Sequence, residues 1–313
     1  MLSYINRRLL MLIPVLIGIS VVVFLVMHLA PGDPAVILAG PTASASDIAA
    51  IRAKLGLDDP VWVQYWRFAK GILKGDLGVS VQSDEPVAEM VKTRFPNTLA
   101  LAVAAMVVAS LLGLSAGIVS AVKKGSLFDS ISMLIALLGI SLPSFWIGLM
   151  LMLAFSVRLR WLPVAGYSGQ WWTLAGIKQL VLPSLTLGIG TAALIARITR
   201  SSILEIMQQD YIRTARAKGL GQLPTVGKHV LRNALVPVVT VMGLNFGGLL
   251  GGTVVTESVF AINGVGRMMV RAITSRDFPV VQGAVFMVAT TFVLINLFVD
   301  LTYALLDPRI RYD

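Results

Sequence analysis

The 313-residue chain is 56% hydrophobic and 13% charged, with a mean hydropathy of +0.82, too apolar for an ordinary soluble domain and suited to an integral membrane protein. No cysteine and only two histidines, with no H-E-x-x-H pattern, exclude a disulfide framework and thiolate chemistry and make a metal-dependent enzyme a poor expectation. The formal charge of +10 does not argue for nucleic acid, because the basic residues flank apolar runs, as they do when positive loops are retained on the cytoplasmic side of a membrane.

In chain order, Arg7 and Arg8 precede an apolar run over 9–29, close to the twenty residues or so that one helix needs to cross a bilayer. The run is longer than a signal-peptide core, and Pro31 follows the small Ala30 at the would-be cleavage site, so residues 1–29 read as a cytoplasmic N-terminus with a retained first span. Residues 30–97 show helical periods but no span. Ser46 or Asp47 is expected to cap a helix that carries Ile48, Ile51 and Leu55 and stops at Gly56. Pro60 opens another, whose Trp62, Tyr65, Trp66, Ala69 and Leu73 form one apolar stripe, and a third piece starts near Pro86. Eight acids are mixed with the seven bases here, and the charge rule weakens for loops above about sixty residues, so a small external helical subdomain is expected. It could receive a solute-delivering protein or pack as a lid on the bundle.

Residues 98–306 divide into five further spans at about 98–122, 131–157, 180–198, 236–259 and 280–306. Lys123 and Lys124 mark a short internal turn, Pro143 should kink the third span, and Trp161, Trp171 and Trp172 suit aromatic anchors at an interface. Gly243, Gly247 and Gly251 recur at the spacing that lets a second helix approach closely. With the tail 307–313 inside, thirteen bases fall on the inner side and six in the two short outer loops, the bias expected for a cytoplasmic-membrane protein with both termini cytoplasmic. The fold class is therefore all-α: a polytopic bundle of six transmembrane helices with an external helical subdomain between the first two.

The longest polar stretch between spans is the basic segment 197–237, with a loop over 200–235. Its core, Asp210-Tyr-Ile-Arg-Thr-Ala-Arg-Ala-Lys-Gly219, reads as a short helix with Lys218 in its last turn and a Gly suited to the left-handed position beyond it. Pro224 suits the first turn of a second short helix. The segment resembles the cytoplasmic motif of ABC importer permeases, Glu-Ala-Ala-x3-Gly-x9-Ile-x-Leu-Pro. Gly219 and Leu231 match it, whereas Arg213, His229 and Arg232 stand where it has Glu, Ile and Pro. The wording YIRTARAKGL followed by LRNALVPVVT is similar to the dipeptide and oligopeptide branch, which also handles glutathione and nickel complexes, and resembles its B-type subunit. Pro31-Gly-Asp-Pro34, Gly75-Asp-Leu-Gly78 and the segment 256–271 carry the same likeness.

The resemblance implies that Tyr211, Arg213, Thr214, Ala215, Arg216, Ala217, Lys218 and Gly219 dock into a cleft of a cytoplasmic ATPase. It also implies a second, non-identical permease chain, two ABC ATPase subunits and an external solute-binding protein. ATP and Mg would belong to the ATPase chains, with no cofactor on this one. The short loop between the third and fourth spans is similar to that of glutathione and oligopeptide members, so short peptides are the expected cargo. The basic residues could instead meet anionic membrane lipids. The nearest approach to a phosphate loop, Gly221 to Gly227-Lys228, has five residues between its glycines where the motif has four, and Pro224 removes a donor.

Two acids sit in or beside spans and need partners. Asp300 lies one turn beyond Asn296 and is expected to pair with Arg197 or Arg200; Glu257, at the outer end of the fifth span, is expected to pair similarly or to contact a gate or ligand. An ion-coupled secondary transporter is the alternative class, though neither an inverted repeat nor a central acid supports it. A membrane scaffold without transport is a third.

Overall fold

Lipid tails offer no hydrogen bonds, so a spanning backbone must satisfy its amides internally, which a helix does. In the computed structural model, which describes residues 2–29, 33–40, 43–221 and 224–306, the chain is helical, with one isolated bridge between Val79 and Pro86 among the described residues. Helix α1 covers Leu2–Leu29. Three short helices follow: α2 (Pro34–Ala39), α3 (Ala45–Leu55) and α4 (Val61–Leu73). The bundle is then built from α5 (Val87–Val122), α6 (Leu127–Ser141), α7 (Ser144–Leu151), α8 (Leu174–Ile206), the short α9 (Asp210–Ala217), α10 (Leu231–Val259), α11 (Val265–Thr274) and α12 (Phe278–Leu306).

Among the described residues, five stretches are each long and apolar enough to cross a bilayer, namely α1, α5, α8, residues 225–259 and α12; α6 with α7 makes a sixth if the bent pair is counted as one. The expected kink in this third span is in fact a break, with the two halves turned 109° apart. Pro143 is the cause: it disfavours the helical region for the residue before it, and Leu142 is extended at φ −83°, ψ 137°. Helix α6 therefore climbs alongside α8 as far as Ile189, which packs on Gly139, and α7 then crosses near Thr186, which packs on Gly148.

Other boundaries differ from expectation too: α8 runs six residues earlier and eight later than the expected span, α10 starts five residues early, and three differences have a clear physical reason. Ser44, not Ser46 or Asp47, caps α3, with Asp47 returning the bond to the Ser44 amide as a capping box. Pro224 opens no separate short helix, because a π-helical turn over Thr225–Val230 runs straight into α10. Helix α5 starts at Val87, eleven residues early; at 36 residues it is about 54 Å long, well beyond a hydrocarbon core of about 30 Å. Its overhanging end is held to the bundle by Val87 and Val91, which pack on Val265, Met268, Ala272, Val280 and Ala284.

The closest pairing is between the parallel α5 and α8, where Gly113, Gly117 and Gly188 leave no space for a side chain. A Cβ on Gly117 would lie 2.7 Å from the Ala196 carbonyl oxygen, and one on Gly188 2.8 Å from that of Ala105. Where lipid removes the hydrophobic drive between helices, such close approach supplies the attraction. The glycine row of α10 does the same only in part. Gly243 meets Val299 and Gly247 meets Phe292 of α12, whereas among the described residues no atom of another element lies where a side chain on Gly251 would start.

Candidate docking site and buried ion-pair groups

Helix α9 lies beyond the end of α8, at the bundle end that carries the Lys123-Lys124 turn. Asp210 begins it, where a negative side chain favours the helix dipole. Gly219 ends it in the left-handed region at φ +87°, and the Leu220 amide donates 3.3 Å back to the Ala215 carbonyl, closing a Schellman turn. Ile212 is fully buried among Ala121 of α5, Ile203 of α8, and Val230 and Ala234 of the fifth span. The Asn233 amide donates 2.9 Å to the Tyr211 hydroxyl. One apolar side chain and one hydrogen bond thus fasten α9 to three spans at once.

The opposite side of α9 is open. Tyr211, Arg213, Thr214, Ala217, Lys218 and Gly219 are exposed, and Ala215 is half-buried; the side chain of Arg216 lies outside the described residues. Arg213 reaches Asp210 at 3.6 Å with both groups in solvent, a pair of little energetic value that leaves the guanidinium available. This is a small rigid element with a polar outward face and an inward face keyed to α5, α8 and α10. The short helix expected from Asp210 is present, and sequence reasoning overlooked Ile212, whose signal is one large aliphatic residue in an otherwise polar helix.

Arg200 does not wait for Asp300. Its Nε and Nη2 donate to Asp129 Oδ1 and Oδ2 at 2.7 and 2.8 Å, a two-pronged contact. Asp129 also accepts from the Ser120 hydroxyl and, at 3.0 Å, from the Gly125 amide, so α5, α6, α8 and the turn between the first two share one carboxylate. Sequence reasoning missed Asp129; the available signal was Ser126-Leu-Phe-Asp129 opening a span, since Ser126 caps α6 by accepting from the Asp129 amide. Arg197 is exposed and forms no ion pair among the described residues, and the side chain of Asp300 lies outside them.

Glu257 lies at the other end of the bundle with no exposed surface. No cation pairs with it among the described residues. Its carboxylate accepts from the Thr98 hydroxyl at 2.7 Å and from the Arg267 amide at 2.9 Å, while Thr98 itself accepts 2.9 Å from the Val265 amide. Both partners satisfy free N–H groups at the start of α11, so the acid acts as a cap supplied by a neighbouring helix. Gly264 and Gly266 make room for it, since a Cβ on either would press on its carboxyl group. The expected ion pair is thus replaced by amide capping. Glu257→Ala is expected to destabilise the protein by about 1–3 kcal/mol through unmet buried donors, seen as a lower midpoint of thermal unfolding in detergent.

The chain matches two family models. Residues 113–312 fit that of the binding-protein-dependent transport system inner membrane component, and residues 1–102 fit the N-terminal part of the same kind of protein. It is 47% identical over 333 residues to the dipeptide transport system permease protein DppB of Alkalihalophilus pseudofirmus, and 47% identical over 312 residues to the glutathione transport system permease protein GsiC of Escherichia coli K12, with all of both chains covered in each case. Among solved structures, the inward-facing MetNI methionine ABC transporter superposes with a TM-score of 0.57 at 19% identity, covering 70% of this chain and 96% of that one. An amino acid ABC transporter gives 0.51 at 16% identity, covering 71% and 94%. The fold of the bundle is shared with these transporters, and the full-length identity to permeases decides among the three functional classes in favour of an importer subunit. The chain belongs to the family of binding-protein-dependent transport system inner membrane components, the permease subunits of ABC importers.

Proposed function

We propose that this permease moves short peptides across the cytoplasmic membrane, paired with a second, non-identical permease chain and driven by two ATPase subunits, one of which grips α9. The bundle end carrying α9 faces the cytoplasm, with both termini on that side and the region 30–97 outside. An external solute-binding protein delivers the cargo there, and ATP and Mg act on the ATPase chains. The observation that carries the reading is α9 itself, a polar helix whose buried Ile212 is fixed to three spans. An ATPase cleft closing around it would move those spans together, which is what a two-position element must do to couple distant sites. The two relatives named for a dipeptide and for glutathione support a short peptide as cargo.

The test is purification of the native complex from membranes, followed by an ATPase assay of wild type and of a Gly219→Pro, Arg216→Glu double variant. Proline cannot adopt φ +87°, so the turn after α9 must deform. An ATPase should accompany wild type and be lost from the variant. Wild type that brings down no ATPase yet still moves a dipeptide in proteoliposomes would sink the proposal.

A further inference from the structure

Helix α4 carries three distinct faces. Gln64, Tyr65 and Phe68 turn toward α1. The Tyr65 hydroxyl lies 3.0 Å from Ser20 Oγ, Gln64 Oε1 lies 3.0 Å from His28 Nε2, and the Phe24 ring meets Tyr65 edge-on and Phe68 stacked, with centroids 5.5 and 6.0 Å away. Trp62, Trp66 and Leu73, at i, i+4 and i+11, form a second face that is 74, 67 and 86% exposed. Arg67, Lys70 and Lys74 form the third, also exposed. No residue of α4 is buried.

We infer that α4 lies in the plane of the membrane interface at the end of the bundle away from α9, with Trp62, Trp66 and Leu73 inserted among the lipids of that leaflet. Depth is the first argument. The spanning stretch of α1 runs Arg8–Val26, so Ser20 lies six residues inside its far end, about 9 Å along the axis. A helix touching Ser20 cannot stand clear of the bilayer, and amphipathic interfacial helices sit about 5–10 Å into the boundary between headgroups and acyl chains. Continuity is the second argument. Ile17, Val22, Leu25 and Val26 of α1 are exposed along the same stretch, and a spanning helix with an open apolar surface meets lipid. Chemistry is the third: tryptophan is amphipathic and favours this depth, and the neighbouring lysines can reach phosphate headgroups. The inference requires that the chain span a bilayer and is independent of how α9 functions.

The absence of cysteine allows direct mapping. Single variants Trp62→Cys, Trp66→Cys, Lys70→Cys and Lys74→Cys of the full chain, nitroxide-labelled in the assembled complex in proteoliposomes, would be measured for collision with oxygen and with a water-soluble nickel chelate. Oxygen should dominate at 62 and 66, and the chelate at 70 and 74. Chelate dominance at 62 and 66 would place the face in water and overturn the inference; shielding from both agents would overturn it in favour of a covering protein. Because labelling could disturb α4, brominated lipids give a second measurement on unlabelled protein. Tryptophan quenching should fall clearly in a Trp62→Phe, Trp66→Phe double variant, and an unchanged quenching would also overturn it.

Discussion

On the proposed docking role of α9, Ile212→Asp is expected to abolish coupling between this permease and a partner ATPase while leaving the chain inserted in the membrane. The residue has no exposed surface and lies against Ala121, Ile203, Val230 and Ala234. Placing a carboxylate there without a partner costs several kcal/mol. Eight residues of helix have little stability of their own, so α9 persists through that tertiary contact. It should therefore come away from the bundle, and hydrogen exchange over residues 210–219 should rise sharply. ATP hydrolysis by the assembled complex should no longer respond to peptide, and uptake into proteoliposomes should fall to background. Ile212→Val, which removes one methylene at about 0.5–1.5 kcal/mol, should keep most of both activities. Wild-type uptake by Ile212→Asp would mean that α9 transmits nothing, whatever binds to its outer face.

The parts of this fold that were legible in the sequence are those governed by local rules. Apolar runs of spanning length gave the helices, and Gly219 gave the end of α9, because each signal lies within the segment it describes. The break at Pro143 was visible as a kink but not as a turn of 109°, since the angle depends on what Gly139 and Gly148 meet on α8. Pairings across the bundle were illegible for the same reason. Arg200 had several acids within plausible reach, and only the crossing of α6 and α8 selects Asp129. Glu257 looked like a charge in search of a counter-ion; three-dimensional placement puts the start of α11 against it, and backbone amides do the work of a cation. The tight glycines were sought on α10, where they are densest, whereas Gly113 and Gly117 of α5 approach the backbone of α8 just as tightly as any pair of helices in the bundle.

The Asp129–Arg200 contact yields the second large expected effect. The Asp129 side chain is 7% exposed and that of Arg200 27%, so removing either partner strands a poorly hydrated charge. Asp129→Ala should cost about 1.5–3 kcal/mol, the range for hydrogen bonds to a charged group, because the stranded Arg200 keeps some access to water, and thermal unfolding of the purified complex should shift down accordingly. Arg200→Lys should recover only part of the wild-type stability, because an ammonium cannot reproduce the paired donation from Nε and Nη2. The informative variant is the double replacement Asp129→Leu, Arg200→Met. It removes both charges and fills the space with apolar volume, so it should be close to wild type, and the cycle should return a coupling energy well above 1 kcal/mol. Stability and coupling are separable here. If the double variant unfolds normally but transports poorly, the ion pair positions the end of α8 from which α9 departs. If Asp129→Ala alone falls within about 0.5 kcal/mol of wild type, as ordinary surface changes do, the carboxylate is not holding α5, α6 and α8 together, and the Ser126 cap with the glycine contacts of α5 and α8 must suffice.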